Sequence, residues 1–344
     1  MTVRAEIRAL AAYSMTAETH PVKAKLDFNE SPYDVPEAVK ARVLERLGER
    51  RWSVYPEFGS PRLKAAIARS LGRSADEIVV GNGSGEVILA AVSVLAGCGG
   101  ALLLAPPTFS LYRQMAAIAG ARVVEVPRVG SDFAIEADAF VAKAGEAVPL
   151  LASPNNPTGG VTPVALVERL CERAEAVLLD QAYLEFAEPS DDALPLLERH
   201  LNLVVFRTLS KAFSAAGFRI GYAVASPELA REIEKAVLPF SVDAAAEDLA
   251  VTLLDDPAEC RARIAGIVAE RERVAAALTT LGIAVAPSRA NFLHFVPPDG
   301  DAAGVRRRLL ERGVLIRDLA RSLRVSIGTP AENDLFLDAL KESL

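Results

Sequence analysis

The sequence has 344 residues, of which 51% are hydrophobic and 24% charged, with a formal net charge of -7. A chain of this length can bury a large core over about two domains, and its acidic balance gives no support to nucleic-acid binding. Three scattered cysteines, Cys98, Cys171 and Cys260, suit neither a disulfide framework nor a metal cluster and read as reduced, buried thiols.

In chain order, the N-terminal "MTVRAEIRALAAYSMTAETHP" lacks the basic start and continuous apolar core of a secretion signal. The turn-rich "KLDFNESPYDVP" that follows is compatible with an arm crossing a neighbouring subunit. Short apolar runs then alternate with helical patterns. "EIVV", "GALLLAPP", "RVVEVP", "VPLLASP", "AVLLDQAY", "NLVVFRT" and "RIGYAVAS" read as buried strands, while "SLYRQMAAIAGA" and "VALVERLCERAEA" have helical period. Strands apolar on both faces and separated by helices predict an α/β fold, with a mostly parallel sheet covered on two sides. Two longer helices follow, "SPELAREIEKAVLPF" and "DDPAECRARIAGIVAERERVAAALTTLG", the second bounded by Pro257 and Gly282. From Ile283, "IAVAPSRANFLHFV", "GVLIRD" and "LRVSIG", with a helix between the first two, predict a smaller α+β unit. The expected division is an N-terminal arm (1–30), a large domain (31–245) and a small C-terminal domain (246–344) completed by N-terminal residues. The longest apolar run, "VILAAVSVLAG", falls short of the about 20 residues that span a bilayer. A soluble, cytoplasmic protein with no membrane partner is expected.

Chemically specific residues fall at the ends of these strands, where open α/β sheets bind ligands. After "EIVV" comes "GNGSGE", a glycine loop leading into a helix, which can aim backbone N–H groups at a phosphate. The next strand ends in "APPTF", without the acid that a nicotinamide dinucleotide site needs, and the loop lacks the lysine of a nucleotide P-loop. Asp180 closes the apolar "AVLLD", either as a cap or structural ion pair or as a counter-charge to a cationic ring nitrogen. Asn156, Tyr183 and Phe109, each a plain turn or core residue if taken alone, could donate to a ring oxygen or stack on a ring. Lys211 lies in "TLSKAF" with no acid within four residues, so no local helix-type ion pair explains it. In a largely apolar site its amine loses affinity for its proton and becomes a nucleophile. Thr208, Ser210 and Arg219 nearby suit a phosphate monoester. A phosphate, a cationic aromatic nitrogen, a ring oxygen and an aldehyde that condenses with an amine together describe pyridoxal 5'-phosphate.

"SPNNPTG", "DQAY" and "TLSKAFSAAGFRIGY" resemble the class I and II aminotransferases of fold type I. "IRALAAY", "KLDFNESPYDVP", "YPE" and "LRVSIGTPAEN" extend the resemblance over nearly the whole chain and are similar to the histidinol-phosphate subfamily, which serves histidine biosynthesis. The resemblance implies a large domain built on a mostly parallel seven-stranded sheet and a smaller α+β domain. It implies Lys211 as covalent attachment point of the cofactor and proton shuttle, Asp180 on the pyridine nitrogen, and Asn156 and Tyr183 on the ring oxygen. Phe109 would stack on the ring, while Ser84, Gly85, Thr208, Ser210 and Arg219 would hold the phosphate. Tyr55 would reach the cofactor phosphate of the partner subunit in a homodimer. Arg324 would take the substrate carboxylate, and Arg317 and Tyr13 the phosphate of histidinol phosphate, with glutamate and 2-oxoglutarate as the second substrate pair. Transamination of aromatic amino acids and decarboxylation of a threonine-phosphate type are the alternatives on this scaffold. A regulator built on such a domain would also need a DNA-binding domain, for which no room is expected before the arm. The chain departs from the family pattern at Gln181 (usually an acid), Phe109 (usually tyrosine), Ser84-Gly85 (often Ala-Asp) and the short "DLARSL" between Arg317 and Arg324.

Overall fold

The computed structural model describes residues 3–11 and 21–344. The chain forms β1 (Ala24–Leu26), then β2 (Ile78–Asn82), β3 (Ala101–Leu104), β4 (Arg122–Glu125), β5 (Val148–Ala152), β6 (Val177–Asp180), β7 (Leu203–Thr208) and β8 (Ile220–Val224). It ends with β9 (Ala284–Val285), β10 (Phe292–Val296), β11 (Val314–Asp318) and β12 (Leu323–Ser326).

Strands β2 to β8 are the seven runs expected from the sequence, but β4, read as buried, lies at the sheet edge with Arg122 exposed and the rest half-buried. They make one sheet in the order β2-β8-β7-β6-β5-β3-β4, parallel except for β8, which runs antiparallel to both neighbours. Because side chains alternate across a strand, a run apolar at every position needs cover on both faces. Val79, Leu102, Leu150, Leu178 and Val204 pack with helices Ser84–Leu95, Leu111–Ala119 and Pro227–Glu234. Their chain neighbours Ile78, Leu103, Leu151, Leu179 and Val205 pack on the opposite face, with helices Glu37–Glu49, Pro61–Leu71, Ala137–Ala144, Val164–Arg173 and Ala244–Asp255. Each such side chain contributes about 1.5–3 kcal/mol by leaving water.

The second sheet has the order β1-β11-β12-β10-β9, with β1 parallel to β11. Its core joins Leu26, Phe292, Ile316 and Val325 to helices Ala258–Thr280, Ala302–Glu311 and Pro330–Lys341. Residues 24–26, read from sequence as part of the arm, are therefore a strand of this sheet, with Ala24 and Leu26 buried and Lys25 outward. Helix Ala244–Asp255 buries Ala246, Leu249, Ala250 and Leu253 in the core of the larger sheet. The next helix carries the chain to the second core through Ile267, Val274 and Leu278.

Two local expectations need correction. The run "SPELAREIEKAVLPF" is α-helical over Pro227–Glu234 and then breaks into turns, ahead of Pro239, whose ring disfavours helical backbone at the preceding residue. Cys98 is exposed, at a φ of 54° in the turn that joins helix Ser84–Leu95 to β3, while Cys171 and Cys260 are buried as expected. No helix among the described residues is long and apolar enough to cross a membrane.

Strand β8 places the first functional loop. Gly221 pairs with Gly81 on one side and Thr208 on the other, directly beneath the start of helix Ser84–Leu95. A Cβ at Gly221 would lie 1.9 Å from the Ser84 nitrogen and 2.4 Å from the Gly83 carbonyl carbon, so backbone would have to move. Gly221→Ala should destabilise the protein by about 1–3 kcal/mol through overpacking. A thermal scan should show a lower unfolding temperature; an unchanged one would mean that the loop has room to yield.

Candidate active site

The carboxyl ends of β2, β3, β5, β6 and β7 open on one cavity of about 330 Å³. The chain winds outward in opposite directions from the adjacent β3 and β5, so the loops after them diverge and leave a crevice. Ser84 and Gly85 come from the loop after β2, Phe109 from the one after β3, and Asn156 from the one after β5. Asp180 and Tyr183 come from the end of β6, and Thr208, Ser210 and Lys211 from the end of β7. Arg219 precedes the antiparallel β8 and so reaches the same edge, and the second sheet adds Arg317 and Arg324.

One end of the cavity is built for an anion. Gly83 stands before the N-terminus of helix Ser84–Leu95 at a φ of 81°, and a Cβ there would lie 2.3 Å from an Arg219 guanidinium nitrogen. Arg219 itself is held at a φ of 54°, a conformation that few side-chain-bearing residues adopt. Its Nη1 donates to Ser210 Oγ at 3.5 Å and to the Ala216 carbonyl at 3.3 Å. Thr208 Oγ1 donates to the Ile220 carbonyl at 2.8 Å and accepts from the Ser210 N–H at 3.1 Å, which fixes both hydroxyls at the strand end. Helix N–H groups, the Ser210 hydroxyl and a guanidinium form a donor set suited to a phosphate, with Thr208 bracing Ser210 from the strand end.

The cavity also holds a buried carboxylate. Asp180 Oδ2 accepts from the Tyr112 hydroxyl at 2.6 Å, and Oδ1 from the Ala182 N–H at 3.0 Å. Burial pushes the Asp180 carboxyl above its ordinary value, while the Tyr112 hydrogen bond, the Ala182 N–H and the Lys211 charge act the other way. Tyr183 is buried, and its hydroxyl accepts from Asn29 Nδ2 at 3.0 Å. Asn156 Oδ1 accepts from Arg324 Nη1 at 2.6 Å, which leaves the amide NH2 as the donor end. Phe109 lies edge-on to Tyr112, with ring centroids 5.4 Å apart.

Lys211 lines the same cavity. Its Nζ donates to the Phe28 carbonyl at 2.8 Å and lies 5.8 Å from the centre of the Tyr183 ring. Burial, reinforced by the charge of Arg324, pushes the amine down to about 7. A substantial free-base fraction is thus present at neutral pH, as an amine nucleophile requires.

Arg317 and Arg324 face each other across β11 and β12, joined by a hairpin closed by the Leu319 N–H to the Ser322 carbonyl. The short "DLARSL" segment is this turn, and its length sets the register that brings the two guanidinium-bearing residues level. Arg324 is also tied to the Asp27 carbonyl at 2.6 Å. His294, opposite Arg324 on β10, is pushed down to about 4 by burial and by that arginine, so it adds no charge.

Gln181 is buried away from the cavity, donating to the Asp191 carbonyl at 2.9 Å, so the loss of an acid there leaves the cavity lining unchanged. Tyr55 is exposed and stacks on Phe240 at 4.7 Å, outside the cavity of its own chain. Tyr13 lies outside the described residues. Sequence reasoning missed Tyr112, Phe28 and Asn29. Tyr112 falls one helical turn after Phe109 on an apolar face, which reads as core, and the partners of Phe28 and Asn29 are distant in sequence. Among the described residues no group of His, Cys, Asp and Glu could hold a metal ion.

This donor set fits a phosphorylated pyridine aldehyde. The anion cradle, the carboxylate, the amine and hydroxyl and amide donors all line the one cavity. A family model described as aminotransferase class I and II matches residues 21–340. A histidinol-phosphate aminotransferase of Thermococcus kodakarensis is 40% identical over 345 residues, covering 99% of this chain and 98% of that protein. Another, of Roseiflexus castenholzii, is 41% identical and covers 92% of this chain and 89% of its own. Among solved structures, the histidinol-phosphate aminotransferase of Sinorhizobium meliloti in complex with pyridoxal-5'-phosphate matches with a TM-score of 0.86 at 26% identity. That match covers 99% of this chain and 97% of the other.

The depressed basicity of Lys211 can be measured directly. After reductive methylation with isotope-labelled formaldehyde, the Lys211 resonance, assigned by its absence in Lys211→Arg, should titrate with a midpoint near 7. A midpoint in the ordinary lysine range would show that the amine is solvated.

Proposed function

The chain belongs to the aminotransferase class I and II family, and on that premise we propose that it transfers an amino group between histidinol phosphate and 2-oxoglutarate, with pyridoxal 5'-phosphate as cofactor. The observation that carries this reading is the cross-strand pair Arg317 and Arg324 opening on the cavity that also contains Lys211 and Asp180. Two adjacent guanidiniums suit a substrate with a phosphate and, in the other half-reaction, one with carboxylates. A purely aromatic amino acid would use one of them.

When bound, pyridoxal phosphate supplies an electron sink for the substrate α-carbon and carries the amino group between the two half-reactions. The protein supplies position and charge. Ser84, Gly85, Thr208, Ser210 and Arg219 hold the phosphate, and Phe109 packs on the ring. Asp180 would place its negative charge toward the ring nitrogen and favour the protonated, cationic ring. Asn156 and Tyr183 donate to the ring oxygen. Lys211 would anchor the cofactor, and its Nζ as a free amine would hold the proton taken from the substrate α-carbon and pass it across the shared nitrogen in a 1,3 relation. Near pH 7 its Nζ can both accept and give up that proton. Arg324 orients the carboxylate of glutamate and Arg317 the phosphate of histidinol phosphate. Glutamate enters and 2-oxoglutarate leaves; imidazole-acetol phosphate then enters and histidinol phosphate leaves.

A homodimer belongs to the same reading. Trp52, Tyr55 and Phe58 are 85%, 78% and 73% exposed, and Tyr55 and Phe58 both pack on Phe240. Aromatic clusters this exposed mark contact surfaces. A second copy covering the patch would bring Tyr55 to the cofactor phosphate of its neighbour.

Single half-reactions followed by the cofactor spectrum should run faster with histidinol phosphate than with phenylalanine. Arg317→Ala should weaken the former by about 1.5–3 kcal/mol, the range for a hydrogen bond to a charged group. The reverse preference would favour the aromatic reading. Lys211→Ala should slow turnover by about 10²–10⁴-fold or more. Mixing Lys211→Ala with Tyr55→Ala subunits should restore activity in the mixed dimer, because one of its two sites carries neither change. No recovery on exchange of subunits would exclude a shared site.

A further inference from the structure

Tyr112 differs from a space-filling core aromatic in what its hydroxyl touches. The side chain is fully buried in helix Leu111–Ala119, with its ring edge-on to Phe109, and its O–H ends on Asp180 Oδ2 at 2.6 Å. Phenylalanine would fill the same space, so packing alone does not call for the hydroxyl. Asp180 shares its face of β6 with Leu178, two residues earlier, whose side chain packs in the same core as Tyr112. Strand parity and the helix thus deliver the phenol to the carboxylate. Behind it, Arg128 is buried, with Nε donating to the Ala105 carbonyl at 3.2 Å and Nη1 to the Phe133 carbonyl at 3.2 Å. Arg128 Nη2 has no hydrogen-bond partner among the described residues. A positive charge is therefore held in the wall that supports the phenol.

We propose that Tyr112 is a positioning residue that keeps Asp180 ionised in its buried place and so sets the charge presented to a ring nitrogen in the cavity. The inference rests on the cofactor reading given above. An O–H donor this short favours the carboxylate over the acid, whereas burial favours the acid. Without the phenol, burial acts against one fewer opposing contact, and Asp180 takes up a proton at higher pH. A neutral acid holds a cationic ring far less well. The titratable and charged groups facing the pair are Arg128 on the helix side, Tyr183 from the end of β6, and Lys211 from the end of β7 with Arg324 beyond it.

The test uses pyridoxine 5'-phosphate, which has the ring and phosphate but no aldehyde for Lys211, and measures its affinity for the full-length apoprotein as a function of pH. In Tyr112→Phe, which retains the buried ring, the acid-side loss of binding should move up by about one pH unit. In an Asp180→Asn background the same substitution should have no pH-dependent effect. An unmoved acid limb in Tyr112→Phe, or an equal effect in both backgrounds, would overturn the proposal and reduce Tyr112 to packing. If Asp180→Asn itself left the profile unchanged, the cofactor reading of the cavity would fall along with it.

Discussion

A carboxylate buried at the end of an apolar strand is the constraint around which the site is organised. Desolvation alone would favour the neutral form of Asp180, and the fold opposes this with the Tyr112 hydroxyl, the Ala182 N–H and the Lys211 charge. Lys211 stands in the mirror situation, since burial weakens its hold on a proton. Each group is unfavourable alone in a dry cavity. Together they make a place where a cationic ring and a free amine are both stable, which is the environment that amine chemistry on a pyridine cofactor requires.

The topology makes this possible at low conformational expense. Parallel strands present their carboxyl ends at one edge, and β8, though reversed, reaches that edge with its first residues, so Arg219 joins the groups from β2, β6 and β7. The second sheet is tied to the same spot by hydrogen bonds across the cavity wall. Phe28 accepts from Lys211, Asn29 donates to Tyr183, and Arg324 reaches both Asn156 and the Asp27 carbonyl. On the proposed reading, an anion at Arg324 would be registered against Lys211 through these short hydrogen bonds.

Much of this was legible in the sequence, for identifiable reasons. Continuous apolar runs marked the seven strands of the large sheet, and polar residues directly after them marked the binding edge, so Asp180, Lys211 and Arg219 stood out. What stayed hidden depends on long-range pairing. Residues 24–26 fell in the expected arm, with N-terminal residues expected to complete the small domain, but the strand itself stayed hidden because three residues carry too little pattern and its partner lies near residue 315. Tyr112 read as core and is core; its second role follows from a hydroxyl meeting a residue 68 positions away. Cys98 read as buried because its element boundary, and not its side chain, decides its exposure. The "DLARSL" segment looked like a departure, yet its length is what sets Arg317 opposite Arg324.

The most direct measurement is the nitrogen-15 NMR shift of ring-labelled pyridoxal phosphate bound to the protein at neutral pH. A protonated ring nitrogen that becomes neutral in Asp180→Asn is expected from the buried charge. A nitrogen without a proton in the unaltered protein, or one equally protonated without Asp180, would contradict it.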